Sequence, residues 1–298
     1  MRDLMHYSRK VPSVPMQRRM RLGDVVTARA ASAEHISWCA IFMKAYAVVS
    51  ASHPELRRAY FAFPWPQLYE HPENAESFSV ERTYHGEDAV FFTRIARPEQ
   101  LTLRELDTVV RRHKTAPLES IRSYRRIIAL SSLPFPVRRT VWWLAVQAGG
   151  PLRAYFLGTF AASVTASAGG ASLHQLSPLT TTLNYGQFEP DGTLDVRLTY
   201  DHRVLDGSTV ARALVALEAV LHGEILAELK IDSMSSPTEL DSVDLSSDDF
   251  WALSPRDRDS ASPSCDGLFP FPGSAPLKTP LCPRWIPPVT GLWSGTRM

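Results

Sequence analysis

The run Thr193-Leu-Asp-Val-Arg-Leu-Thr-Tyr200, then Asp-His-Arg-Val-Leu-Asp-Gly207, then Ser208 to Leu221, does most to limit how this chain can fold. Leu194, Val196, Leu198 and Tyr200 alternate with more polar residues, a period of two that predicts a strand with one buried face. From Ser208 the pattern turns helical, with Ser208 or Asp206 placed to cap the new helix. His202, Asp206 and Gly207 therefore fall on a strand-to-helix junction. Rigid elements on both sides of such a loop can hold a reactive side chain in one place.

The rest of residues 1–231 reads as one α/β domain. Ile36 to Ser52 is apolar over most of its surface and stops before His53-Pro54, which predicts a buried helix. Glu76–Arg82 and Ala89–Ile95, with a His-Gly-Glu-Asp turn between them, predict a hairpin. Thr102 to Lys114 sets Leu103, Leu106, Val109 and Val110 on one face and arginines on the other, as an amphipathic helix does. Leu179–Tyr185 is a further strand, joined to the Thr193 strand through Pro190-Asp-Gly192. Beyond residue 231 the composition shifts: ten of the 23 prolines lie there, among Ser and Asp, with aromatics at no regular period. Such a segment has little means of offsetting the entropy of ordering, so 232–298 reads as a disordered tail, with short binding segments as its one use.

Composition removes several functions. A formal net charge of +1 gives no polyelectrolyte signal, so nucleic acid is not expected as a partner. Cys39, Cys265 and Cys282 have no metal-type spacing, and an odd count does not suggest a disulfide framework. No metal is expected, and Gly169-Gly170 is too little for a nucleotide-binding loop. The first residues lack the apolar core of a signal peptide, and no charge-free apolar run is long enough to span a bilayer. A soluble cytoplasmic protein is expected.

One chemistry that a His-x-x-x-Asp-Gly junction can serve is acyl transfer. An incoming thiol, hydroxyl or amine must lose a proton as it attacks a thioester. A free imidazole, with a pKa of about 6.5, is largely neutral near pH 7 and can take that proton. His202 is thus a candidate general base. Asp206 is a candidate structural carboxylate, holding its loop by a salt bridge or backbone hydrogen bonds. Gly207 is read as leaving room for a tight backbone path.

Leu198-Thr-Tyr-Asp-His-Arg-Val-Leu-Asp-Gly207 resembles the active-site segment of the 2-oxoacid dehydrogenase acyltransferases, the E2 catalytic domains, whose fold is shared with chloramphenicol acetyltransferase. Ser37-Trp-Cys-Ala-Ile-Phe-Met-Lys-Ala-Tyr-Ala with His53-Pro-Glu-Leu56 is similar to their first long helix, and Gly158-Thr-Phe-Ala-Ala-Ser163 to their Gly-Thr-Phe-Thr-Ile-Ser strand. The likeness runs over roughly residues 5–230. It implies an α/β (α+β), chloramphenicol acetyltransferase-like two-layer sandwich with a mixed sheet. It also implies an acyltransferase taking its acyl group from coenzyme A, or from a lipoyl or phosphopantetheine carrier protein, with His202 as base and Asp206 as structural carboxylate. Ser163 becomes the hydroxyl facing the oxyanion, worth about 3–4 kcal/mol of barrier; Thr165 and Ser167 share its face if the strand continues. Homotrimers or larger assemblies follow, with the site between subunits and His202 and Ser163 supplied by different chains.

Three departures accompany the resemblance. No lipoyl domain or subunit-binding segment precedes the catalytic region, so a lipoyl group has to arrive on another protein. The arginine that E2 domains carry about ten residues before the serine matching Ser8 would lie upstream of Met1, with Arg2 as a substitute and a start further upstream as an explanation. Finally, Ile121 to Tyr155 is longer than the usual connection and holds Arg138-Arg-Thr-Val-Trp-Trp-Leu-Ala-Val-Gln-Ala148. Two readings stand open there: a helix packed on its own domain, or peripheral membrane contact through 133–148. The alternative to an enzyme is a non-catalytic trimeric E2-like scaffold that recruits partners.

Overall fold

A computed structural model describes residues 2–32, 34–147, 149–163, 170, 172–234 and 284–286. These belong to one unit built from Met1–Glu239 and Pro283–Met298; a second unit, Leu240–Cys282, lies outside the described residues. In chain order the elements begin with α1 (Arg2–Ser8), β1 (Ser13–Arg21), α2 (Gly23–Ala31) and α3 (Trp38–Ser52). Next come β2 (Arg58–Phe61), β3 (Gln67–Glu70), β4 (Ala75–Tyr84), β5 (Glu87–Ala96) and α4 (Leu103–Thr115). Then follow α5 (Arg122–Ser132), α6 (Phe135–Gln147), α7 (Gly150–Leu157), β6 (Phe160–Ala162) and β7 (Thr181–Tyr185). β8 (Thr193–Asp201), α8 (Gly207–Val220), a π turn, α9 (Leu226–Met234) and β9 (Arg284–Ile286) complete the series.

Six strands form a mixed sheet in the order β1-β8-β7-β6-β4-β5. β8 is the strand expected from the Thr193 alternation. It pairs antiparallel with β1 from Ser13↔Asp201 to Arg21↔Thr193, and with β7 from Thr181↔Tyr200 to Tyr185↔Val196. β6 runs parallel to both β7 and β4, and β4 and β5 form the expected hairpin. Its turn residues His85 and Gly86 both take positive φ, 52° and 81°, as the two-residue turn that matches strand twist requires.

Helices cover one face of this sheet. α3 buries Ala40, Ile41, Phe42, Met43, Tyr46 and Val49, and is capped by Ser37, whose hydroxyl accepts from the Ala40 N–H. α4 begins with a full capping box between Thr102 and Glu105 and turns Leu103, Leu106, Val109 and Val110 inward, as its periodicity predicts. With α8 these helices close a core over Phe78, Phe160, Leu183, Val196 and Leu198. The two-layer sandwich with a mixed sheet expected from the sequence is the architecture observed.

Two elements depart from expectation. β1 was not foreseen, because Pro15, Gln17, Arg18, Arg19 and Arg21 mask its strand character; it is an edge strand, where proline and charge guard against further pairing. The boundary expected at 231/232 falls inside α9, whose Asp232 carboxylate receives Arg104 Nη2 at 2.7 Å. Within the expected tail, Arg284–Ile286 pairs antiparallel with β3 in a small sheet of order β2-β3-β9. The rest of the tail lies outside the described residues.

Glu76 stands out in the core. It is fully buried on β4, opposite Ile95 and Phe160, and among the described residues neither carboxylate oxygen has a hydrogen-bond partner. Burial first, and then the charge of Glu99, raises its pKa well above the ordinary carboxylate range. Between the ordinary carboxylate value of 4.5 and the raised folded-state pKa, the folded chain holds Glu76 protonated while the unfolded chain ionises it. This stability is fully present below 4.5 and is lost as pH rises toward the raised folded-state pKa. Denaturant midpoints measured across the neutral range are expected to fall with rising pH in the parent chain. Glu76→Gln is expected to flatten that slope, and an equal slope in the variant refutes the assignment.

Candidate active site

His202 is the first residue beyond β8, and its position is set by the backbone around it. The Asp201 N–H donates to Thr180 O at 2.8 Å, and the His202 N–H donates to Pro12 O at 3.1 Å. The N–H groups of Val204 and Leu205 both return to Asp201 O, and Leu205 is buried in the core. These bonds fold the junction into a tight turn. His202 itself is exposed, its ring 5.6 Å from that of Tyr200. Among the described residues no hydrogen bond reaches the His202 ring.

Asp201 is the anchor of the turn. Its side chain is 1% exposed and takes Arg203 in a two-pronged grip, Nε to Oδ1 at 2.9 Å and Nη2 to Oδ2 at 2.7 Å. The Arg203 N–H also donates to Asp201 Oδ1. The guanidinium of Arg203 lies 4.2 Å from the centre of the Tyr60 ring, so a cation–π contact ties the turn to β2. Deeper, Arg153 of α7 is buried and donates from Nη1 to Tyr60 O at 2.9 Å and from Nη2 to Pro178 O. Burial lowers its pKa to about 10, countered in part by the Asp201 charge. Nothing in the sequence singled out Tyr60 or Arg153, because their roles rest on contacts across long stretches of chain.

Asp206 is the N-cap of α8, deciding between the two caps the sequence allowed. Its Oδ1 accepts from the Thr209 N–H at 2.6 Å and from the Ser208 hydroxyl at 2.9 Å. Those hydrogen bonds, with a smaller contribution from Arg212, hold its pKa down to about 2. Among the described residues no arginine forms an ion pair with Asp206; Arg2, the expected substitute, is the first residue of α1. Gly207 is not demanded by space within the chain: a Cβ there would meet Met16 Cε at 3.4 Å and Tyr200 Oη at 3.6 Å, ordinary contact distances. The expectation of a path that a side chain would block is corrected accordingly.

Ser163 directly follows β6. Its N–H donates to Leu183 O at 3.0 Å, and its carbonyl accepts from Asn184 Nδ2 at 2.6 Å and Gln175 Nε2 at 3.1 Å. β6 ends at Ala162; Thr165 and Ser167, the alternatives on its expected continuation, lie outside the described residues. Ala162 is level with Leu183, and Leu183 with Leu198. Ser163 and His202 therefore sit toward opposite ends of the sheet, separated by about 16 Å along the strands and about 10 Å across them. One chain does not bring the two together. Among the described residues no group of three or more His, Cys, Asp or Glu is placed to hold a metal ion.

No protein-family model matches the chain, and neither does any curated protein sequence. Its structure is similar to the cubic core of a pyruvate dehydrogenase multienzyme complex, at 18% identity over 76% of this chain and 88% of the other, with a TM-score of 0.52. The Azotobacter vinelandii dihydrolipoamide acetyltransferase gives the same figures: 18% identity, 76% and 88% coverage, TM-score 0.52. That enzyme was studied for the catalytic roles of a serine, a histidine and an asparagine four positions beyond the histidine. A truncated catalytic core of the 2-oxoacid dehydrogenase complex from Thermoplasma acidophilum is also similar, at 14% identity, 74% and 92% coverage and a TM-score of 0.52. The chain has the fold of these acyltransferase cores.

Removing Asp201 should strand Arg203 and loosen the turn. Asp201→Ala is expected to cost about 1–3 kcal/mol in chemical denaturation, because it removes charge-assisted hydrogen bonds between a buried carboxylate and a guanidinium that is 32% exposed. A change of a few tenths of a kcal/mol would show that the pair does not anchor the turn.

Proposed function

We propose that the chain is an acyltransferase, moving an acyl group from a coenzyme A or carrier-protein thioester to a thiol, hydroxyl or amine acceptor. The observation that carries this reading is His202. It is an exposed residue of a turn whose neighbouring members are held by hydrogen bonds and ion pairing, on a fold shared with acyltransferase cores. Its spacing to Asp206 matches the histidine and the asparagine four positions on in the Azotobacter enzyme.

In the proposed step the His202 imidazole takes the proton from the acceptor as the acceptor attacks the thioester carbonyl carbon. The tetrahedral oxyanion then collapses, the carbon–sulfur bond breaks, and the leaving thiolate recovers the proton from the imidazolium. Asp206 does not touch substrate; it starts α8 and fixes the far end of the turn. Ser163 donates its hydroxyl to the oxyanion. The distance between Ser163 and His202 within one chain supports a site shared between subunits, and so a homotrimer or larger assembly. No metal enters these steps.

Free-thiol release from a panel of acyl-CoAs, with dihydrolipoamide, alcohols and amines as acceptors, tests the reading. His202→Ala is expected to lower turnover by about 10²–10⁴-fold. A parent chain inert toward every donor, free or carrier-bound, would favour the scaffold alternative. So would a His202→Ala chain that still supports function in cells.

A further inference from the structure

α6 is an uncovered helix. Of its side chains only Ala145 and Val146 are buried, while Phe135, Val137, Trp143 and Leu144 are between 37% and 49% exposed. The loop after β2 extends this surface. The Phe63 ring lies 5.4 Å from that of Trp143, the Ala62 N–H donates to Gln147 Oε1, and Trp65 is 64% exposed. Between α6 and α1 runs a groove of about 530 Å³, whose walls include Tyr7, Lys10, Phe135, Arg139 and Trp143. Aromatic rings from two distant parts of the chain thus meet on one face.

The charge of that face has one sign. Between Glu119 and Glu189 the chain has no Asp or Glu and six arginines, although its net charge is only +1. Across α1, α6 and residues 62–66 the one acid is Asp3, and Arg138 already occupies it at 2.6 Å. Arg139 donates to the His6 ring, and Lys10 lies over the Tyr7 ring at 5.7 Å; among the described residues neither cation has a carboxylate partner. Burial and the charges of Arg139, Lys10 and Arg9 together hold His6 below its ordinary pKa, which fits a positive field around the groove.

We propose that this face, formed by α6, the Phe63–Trp65 loop and the basic groove beside α1, docks the protein on an anionic phospholipid bilayer. Exposed Trp and Phe beside an Arg and a Lys with no carboxylate partner among the described residues is what an interfacial surface needs: rings that enter the headgroup region, and cations that meet lipid phosphate. A two-fold contact with a second copy would set the same cations against themselves. The bilayer supplies the missing negative charge instead. No helix among the described residues is long and apolar enough to cross a membrane, so the contact is peripheral. The inference does not depend on acyl transfer, since binding is read without turnover.

Flotation of the full chain with phosphatidylcholine vesicles, with and without phosphatidylglycerol, is the test. Binding is expected to the mixed vesicles and to weaken in high salt. Lys10→Glu, a change of two charge units at about 1 kcal/mol each, should weaken it roughly thirtyfold, and Trp65→Ser by about tenfold or more. Circular dichroism should show both variants folded. No binding by the parent chain overturns the proposal, as does binding by both variants as tight as the parent's. A Trp65→Ser chain that loses self-association, from a parent that ignores vesicles, would assign the face to a second copy and overturn it as well.

Discussion

The pairing of β8 on both sides is the constraint on which the site depends. Its backbone is held by β1 along one edge and by β7 along the other, and the hydrogen bonding carries past the strand's end, where Pro12 O receives the His202 N–H. A one-residue slip against β1 would turn Leu194, Val196 and Leu198 out of the core and reverse the side chains of the turn. Core burial of that apolar series therefore fixes which way His202 points. Asp201, Val204 and Leu205 close the turn on itself, leaving one exposed imidazole between a buried carboxylate and the start of α8.

The segment that departs from the expected pattern is part of this arrangement. Arg153, from α7, reaches beneath the turn to the carbonyls of Tyr60 and Pro178, so it joins the small sheet to the chain entering β7. Tyr60 in turn carries the guanidinium of Arg203 on its ring. A buried arginine is costly unless its donors are used, and two of its nitrogens meet carbonyls close to the site. α6 is different: it contributes little to the core and presents its aromatic side chains outward. The stretch from α6 to α7 thus supplies both an internal brace and an external face.

How much was legible in the sequence follows the range of the interactions. α3, α4, the β4–β5 hairpin and the β8-to-α8 junction carry strong local periods and caps, and each was readable from residues close together in the chain. β1 was not, because an edge strand has no reason to alternate clearly. The Arg153–Tyr60 and Arg203–Tyr60 contacts join residues from α7, β2 and the turn, and no local pattern records such pairs. Asp206 was legible as a cap, yet the arginine partner implied by resemblance is not seen among the described residues. Ser163 shows the limit of a short motif: the local resemblance put it on a strand, the structure puts it one residue beyond β6, and only the sheet register shows how far it stands from His202.

The central claim is that His202 of one chain acts with Ser163 of another, and subunit complementation tests it most directly. His202→Ala and Ser163→Ala chains would each be made alone and then co-expressed, with thioester cleavage measured per assembled protein. Each variant alone should be impaired, and the mixed assembly should recover activity, because some interfaces then hold an intact histidine opposite an intact serine. A mixed assembly no more active than the average of the two variants would contradict the shared site.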